Sequence, residues 1–224
     1  MGLIWENEIT PYSATYGDYY FSGNDGSDEC RHVFIDGNNL EERLREAKSF
    51  TIAELGFGTG LNFLETWRFW QSIRKPGQAM NFTSFERHPL DCASIRRGLG
   101  QWPELKQHRD IMLEYWSKRD SGSQTWQIDE QTSLRVIIGE AAFGVNSWAK
   151  HADAWYLDGF SPSKNPQMWS EVLMQSVFNH TTQGGTFATY TSAGWVRRNL
   201  GSAGFAVRRV PGHGKKRHMT IGSK

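Results

Sequence analysis

Glu54-Leu55-Gly56-Phe57-Gly58-Thr59-Gly60 follows the apolar run Phe50-Thr51-Ile52-Ala53 and leads into Leu61-Asn62-Phe63-Leu64-Glu65-Thr66-Trp67. The order predicts strand, glycine-rich turn, helix. Glycines at every second position let the backbone turn sharply and approach a ligand with no Cβ in the way. The helix behind the turn aims its free N–H groups at whatever the turn holds. A nucleotide-like cofactor is the expected occupant, although a glycine turn of this kind can also form without a ligand.

The spacing narrows the cofactor. Dinucleotide sites carry G-x-G-x-x-G and bring a pyrophosphate onto the helix end. Here the glycines run G-x-G-x-G and Glu54 precedes them. A carboxylate there would repel a pyrophosphate but suits a cofactor bearing an ammonium or sulfonium. S-adenosylmethionine is such a cofactor, and Glu54, Gly56, Phe57, Gly58, Gly60 and Asn62 are the residues expected to frame it.

Outward from the turn, apolar strand-like runs alternate with helical ones. Strands are predicted near 50–55, 81–86, 133–138, 154–158 and 185–190, and helices at 61–74, near 89–99 and within 102–116. This alternation implies an α/β fold, a doubly wound, mainly parallel twisted sheet of Rossmann type. Residues 205–210 and 217–221 read as an antiparallel C-terminal hairpin around Pro211-Gly212-His213-Gly214. Residues 1–49 form a lead-in to the 50–224 unit, expected to pack on the same domain. Within it, strands are predicted at 16–21 and 31–35, joined by a turn-forming stretch, and a helix begins near Asn38 with Asn39 as N-cap.

The chain has 224 residues, ample for one domain with a sizeable core. Thirteen Phe, ten Trp and seven Tyr favour thick aromatic packing or flat ligands. No run is long enough to span a bilayer and no signal peptide precedes the first charges. Cys30 and Cys92 make no disulfide framework, and neither they nor the seven His show ligand spacing. A cytoplasmic protein with no metal and no membrane partner is expected. The 25 Lys and Arg nearly balance 24 Asp and Glu, but eight of the basic residues lie beyond Glu171, the last acid. Residues 172–224 therefore carry +8 and the first 171 residues −7. A basic face toward an anionic partner is one reading of this split, and a solvated surface the other.

Ligands of open α/β sheets bind outside the carboxyl ends of the strands. Glu86 closes the second central strand and is placed to hold ribose hydroxyls, and Glu140 follows the third and is placed for the adenine amine. Asp158 ends the fourth and opens Asp158-Gly159-Phe160-Ser161-Pro162-Ser163-Lys164-Asn165-Pro166, a loop stiffened by two prolines. An acid there can accept an N–H from an amine nucleophile and stabilise the charge that develops on it. Phe160 is expected to stack on the base that carries the amine. Lys164 and Asn165 are candidates for a phosphate or the base edge, and Arg197 and Arg198, at the next helix start, suit a phosphate backbone.

The strings ELGFGTGLNFL (54–64), SFERHPL (84–90), WYLDGFSPSKNPQMW (155–169), TYTSAGWVRR (189–198) and GHGKKRHM (212–219) resemble the methyltransferase domain of MnmC-type tRNA-modifying enzymes. The lead-in YYFSGNDGSDECRHVFIDGNNLEER (19–43) is similar to that domain's N-terminal segment, so the resemblance spans nearly the whole chain. It implies S-adenosylmethionine-dependent methylation of the primary amine of 5-aminomethyl-2-thiouridine at the tRNA wobble position. It casts Asp158 as the catalytic acid, in contact with the donor as well as the amine, and sets Lys215, Lys216 and Arg217 of the hairpin against the anticodon arm. Methylation of a small amine or another RNA base is the alternative. Position 140 is Glu where the family carries Asp, which lengthens or hydrates the adenine contact. Bifunctional relatives add an FAD-dependent oxidase domain. No FAD site is expected in these 224 residues, and a separate or fused oxidase is the implied partner.

Overall fold

The glycine turn sits at the centre of the sheet because the chain builds outward from it in both directions. The computed structural model describes residues 2–6, 8–21, 23–120, 122–214 and 216–224. In the lead-in, β1 (Leu3–Glu6), β2 (Thr10–Ser13) and β3 (Asp18–Tyr19) pair antiparallel in a small sheet. α1 (Gly26–Cys30), a π-helical segment (Arg31–Asp36) and α2 (Leu40–Glu46) follow. The main body runs β4 (Ser49–Leu55), α3 (Leu61–Ile73), β5 (Ala79–Glu86), α4 (Cys92–Gly98), α5 (Lys106–Trp116), β6 (Gln124–Asp129), β7 (Thr132–Ile138) and α6 (Ala141–Asn146). It continues through β8 (Ala152–Leu157), α7 (Glu171–Asn179), β9 (Thr181–Thr189), α8 (Gly194–Ala203), β10 (Ala206–Pro211) and β11 (His218–Ser223).

Among the described residues these strands form an eight-stranded sheet ordered β10-β11-β9-β8-β4-β5-β7-β6. The five strands from β9 to β7 are parallel, while β6, β11 and β10 run antiparallel to their neighbours. This is the doubly wound, mainly parallel sheet expected from the sequence, with its antiparallel C-terminal hairpin. From β4 the chain crosses first to β5 on one side and later to β8 on the other. The switch point therefore lies between β4 and β8, where crevices open at strand carboxyl ends.

Both faces of the central strands are buried, so alternate residues feed two cores. Ile52, Phe82, Ala154 and Tyr156 pack on one face with Phe34, Phe63 and Trp67. Ala53, Phe85, Trp155 and Leu157 pack on the other with Trp148, Trp169 and Leu173. Cys30, Val33, Phe34 and Ile35 of the lead-in join the first of these cores.

Three local expectations are corrected. Residues 31–35 are helical, not a strand: a short apolar run carries no periodicity that separates the two, and as a helix it lays Phe34 on Tyr156, ring centroids 4.7 Å apart. The 16–21 strand shrinks to Asp18–Tyr19, because Ala14 to Gly17 form a turn. Asn39 stands at the N-cap position of α2 but in the left-handed region (φ 50°), and its amide donates to Glu42 Oε2 instead of accepting a helix N–H. Strands β1, β2 and β6 were not anticipated. No helix among the described residues is long and apolar enough to cross a membrane.

Candidate active site

A cavity of about 1080 Å³ opens at the switch point, walled by the β4–α3 turn, the ends of β5, β7 and β8, and the lead-in. The turn takes the shape its glycines allow: Gly56, Gly58 and Gly60 have φ of 87°, 54° and 81°, where a side chain is strained. At Gly56 a Cβ would make ordinary contact with Gly159, 3.5 Å from its Cα. Gly58 N–H donates to Glu86 Oε2 at 2.9 Å, which ties the turn to the end of β5.

Asn62, on the first turn of α3, links two acids. Its amide nitrogen donates to Glu54 Oε1 at 2.9 Å and to Asp158 Oδ2 at 2.7 Å. Asp158 Oδ1 also accepts the Gly159 N–H at 2.8 Å, and Glu54 Oε2 the Ser84 hydroxyl at 2.7 Å. Asn62 and Asp158 face the cavity; Glu54 is 0% exposed and forms no part of its wall. Burial pushes the Glu54 carboxyl well above the usual carboxylate range, against the hydrogen bonds from Ser84 and Asn62. Burial likewise raises Asp158 to about 6, against the Gly159 N–H, the Asn62 amide and Lys216, with Glu29 adding to the rise.

Glu54→Gln preserves both contacts, since its oxygen can accept from Asn62 while its NH₂ donates to the Ser84 hydroxyl. A folded-state pKa above the unfolded value means that stability is lost as pH rises through that interval. The substitution is therefore expected to raise Tm at pH 8, by roughly 2–4 °C for each kcal/mol recovered in a chain this size, and to change it little at pH 4. Thermal melts at both pH values check this, and an equal shift at both would contradict the burial argument.

Glu86 is nearly buried on the cavity wall, its two oxygens accepting N–H groups from Gly58 and His88. Glu140 stands at the rim, 60% exposed in its side chain, and pairs with Arg87 at 2.7 Å. An adenine contact by Glu140 would compete with that ion pair. Phe57 lines the cavity and stacks on buried Trp116 at 4.8 Å.

On the opposite side, Phe160 and the buried Asn165 line the cavity. Lys164 does not: it is exposed, beside Gly17 on the outer side of the loop. Arg197 and Arg198 lie on α8 away from the cavity, and Arg217 is exposed on the hairpin. Lys215 lies outside the described residues. Lys216, expected on the outer basic surface, contributes to the cavity wall: its Nζ pairs with Glu29 at 2.5 Å and lies 4.4 Å from the Tyr190 ring centre. Tyr16, Asp18, Tyr20, Glu29 and Tyr190 also wall the cavity and were not singled out from sequence. For the four in the lead-in, its density of Tyr and acids was the visible signal; Tyr190, just past β9, had none. Among the described residues no cluster of His, Cys, Asp and Glu could hold a metal ion.

Residues 103–224 match the model of a family described as S-adenosyl-L-methionine-dependent methyltransferase. The chain is 43% identical over 223 residues to the tRNA 5-methylaminomethyl-2-thiouridine biosynthesis bifunctional protein MnmC of Methylobacillus flagellatus. It is 42% identical over 224 residues to the protein of that name from Chromobacterium violaceum. Each match covers 98% of this chain and 34% of the relative, so the chain spans about a third of the length of these curated relatives. The crystal structure of MnmC2 from Aquifex aeolicus is similar with a TM-score of 0.81 at 26% identity, over 96% of this chain and 66% of that one.

Proposed function

Because the chain belongs to the S-adenosyl-L-methionine-dependent methyltransferases, we propose that it methylates the primary amine of 5-aminomethyl-2-thiouridine at the tRNA wobble position, giving 5-methylaminomethyl-2-thiouridine. The observation that carries this reading is Asp158: a carboxylate facing the cavity beside the glycine turn, held on one oxygen by Asn62 and on the other by the Gly159 N–H. The names of the relatives supply the nucleoside.

The residues present fit the methyl donor. Three left-handed glycines leave the turn free of side chains, and Glu86 beside it keeps acceptor capacity for ribose hydroxyls. Glu140 is the candidate for the adenine amine, and Phe57 and Asn62 complete the wall around the turn. Glu54 acts at one remove, by holding Asn62. A cavity of about 1080 Å³ lies at the upper end of the roughly 300–1,000 Å³ range of ligand pockets, with room for a donor and a nucleoside together.

When bound, S-adenosylmethionine supplies an electrophilic methyl group on a sulfonium. The chain's own residues orient the amine. Asp158, with a pKa of about 6, is mostly ionised at neutral pH and can accept an amine N–H. That contact turns the nitrogen lone pair toward the donor side and offsets the positive charge that nitrogen gains as its bond to the methyl carbon forms, the methyl–sulfur bond breaking in the same step to leave a neutral thioether. Arg197, Arg198 and Arg217 are candidates for the phosphates of the anticodon arm, and Asn165 for the base edge. An FAD-dependent oxidase, fused or separate, would supply the free amine, and the setting would be cytoplasmic.

The test is methyl transfer from labelled donor to tRNA from cells lacking this modification, followed by nucleoside mass analysis. Label is expected in 5-methylaminomethyl-2-thiouridine. Measurable donor binding with no label on tRNA would overturn the assignment in favour of a small-amine acceptor.

A further inference from the structure

Two residues beyond Asp158, the ring of Phe160 is stacked against Tyr16 on the cavity wall, centroids 4.6 Å apart and planes at 25°. The face expected to receive a base is thus covered by a side chain of the lead-in. Phe160 sits on a braced loop: its carbonyl accepts from Trp169 Nε1 at 3.1 Å, and the buried Pro162 follows shortly after. Tyr20 meets the same ring edge-on at 5.2 Å and itself packs over Gly58, where a Cβ would come within 3.3 Å of it.

Tyr16 is held differently. It lies on the turn between β2 and β3, with Ala14 and Thr15 exposed and Gly17 at φ 65° donating to Ser13 O at 2.7 Å. A hydrogen bond also ties the two segments: Asp18 Oδ2 accepts the Ser161 N–H at 2.7 Å. One ring therefore stands on a fixed loop and the other on a surface turn, while a backbone contact next to both keeps them in register.

We propose that Tyr16 is the second jaw of an aromatic clamp that takes the acceptor base between itself and Phe160. The proposal rests on the reading of a nucleobase acceptor given above. A base between the rings needs them roughly 7 Å apart, twice an ordinary carbon–carbon contact, so Tyr16 moves outward by a few ångströms about the Ser13–Gly17 turn. Stacking between two faces binds a flat ring without choosing among bases. The choice of an amine then falls to Asp158, two residues along the fixed jaw.

Tyr16→Ala and Tyr16→Leu are the test, with Tyr16→Phe as the conservative variant and thermal melts to establish folding. Leu keeps apolar cover and removes the π-face. Both Ala and Leu are expected to raise KM for tRNA by about 5- to 150-fold, the range for losing one base–aromatic stack. Turnover at saturation and donor affinity by direct titration should stay near those of the parent chain, and Phe should restore KM. An unchanged KM in Ala and Leu, or an equal loss of donor affinity, would overturn the clamp while leaving the methyltransferase reading intact. A parent chain that binds donor but does not methylate tRNA would overturn the acceptor reading and the clamp with it.

Discussion

Asp158→Ala is expected to lower the turnover of methyl transfer by about 10²- to 10⁴-fold, the range for a positioned acid–base group, while the dissociation constant of the donor changes little. The separation of effects follows from where the side chain sits. Asp158 faces the cavity, and its removal leaves the glycine turn, Glu86 and the Gly58–Glu86 hydrogen bond in place. Asn62 loses one acceptor but keeps Glu54 Oε1, so the first turn of α3 remains anchored. On the proposed mechanism, what disappears is the group that turns the amine and faces the charge developing on it.

A second signature accompanies the first. In the proposed mechanism the ionised form of Asp158 accepts the amine N–H, and burial raises its pKa to about 6. The rate should therefore fall as pH drops through 6, and Asp158→Asn should remove that limb along with most of the activity. Single-turnover rates across pH 5–9 and calorimetric titration of the donor check both statements. Loss of donor affinity in step with turnover would make Asp158 part of the donor site instead, and unchanged turnover would remove it from the chemistry.

Gly60→Ala is expected to be the most damaging single methyl group in the turn. At φ 81° an alanine costs about 1–2 kcal/mol in the left-handed region, and here the space is also taken. The added Cβ would stand 2.9 Å from Phe57 Cζ and 3.0 Å from Met112 Sδ. Phe57 cannot easily retreat, because its ring is stacked on the buried Trp116. Overpacking of this kind costs about 1–3 kcal/mol more. The sum, roughly 2–5 kcal/mol, lowers Tm by some 2–4 °C per kcal/mol in a chain of this length.

Gly184 supplies the comparison. Its φ is 75°, yet nothing lies within 4 Å of where its Cβ would be, so Gly184→Ala should show the conformational part alone. Displacing Phe57 and the start of α3 would also shift two walls of the cavity, so donor affinity should fall in Gly60→Ala and hold in Gly184→Ala. Equal melting temperatures for the two variants would show that the crowding at Gly60 is relieved without cost.

Elements with a strong local signature were legible in the sequence. The β4–α3 turn announces itself through glycines that only positive φ requires, and the central strands through apolar runs set between helical stretches. The hairpin is marked by its loop of Pro211 to Gly214. Acids at strand ends could be nominated because topology places every parallel strand's carboxyl end on one edge. The lead-in was legible only in part: its helix at Leu40 was anticipated, whereas residues 31–35 were misread because a short run around Val33, Phe34 and Ile35 fits a helix as well as a strand.

By itself, then, the sequence determined the order of the five parallel strands and the C-terminal hairpin, the glycine turn and the placing of Glu86, Glu140 and Asp158 at one edge of a parallel sheet, since each depends on local backbone preference and a period of a few residues. The direction in which each side chain points was left to the tertiary structure. Glu54 is near Gly56 in sequence yet faces inward to Asn62 and Ser84, while Lys216, in a run of basic residues, folds back onto Glu29 and Tyr190. Tyr16 meets Phe160 across 144 positions of chain. Such pairings are decided by burial, charge and packing among segments far apart in sequence, and no spacing along the chain records them.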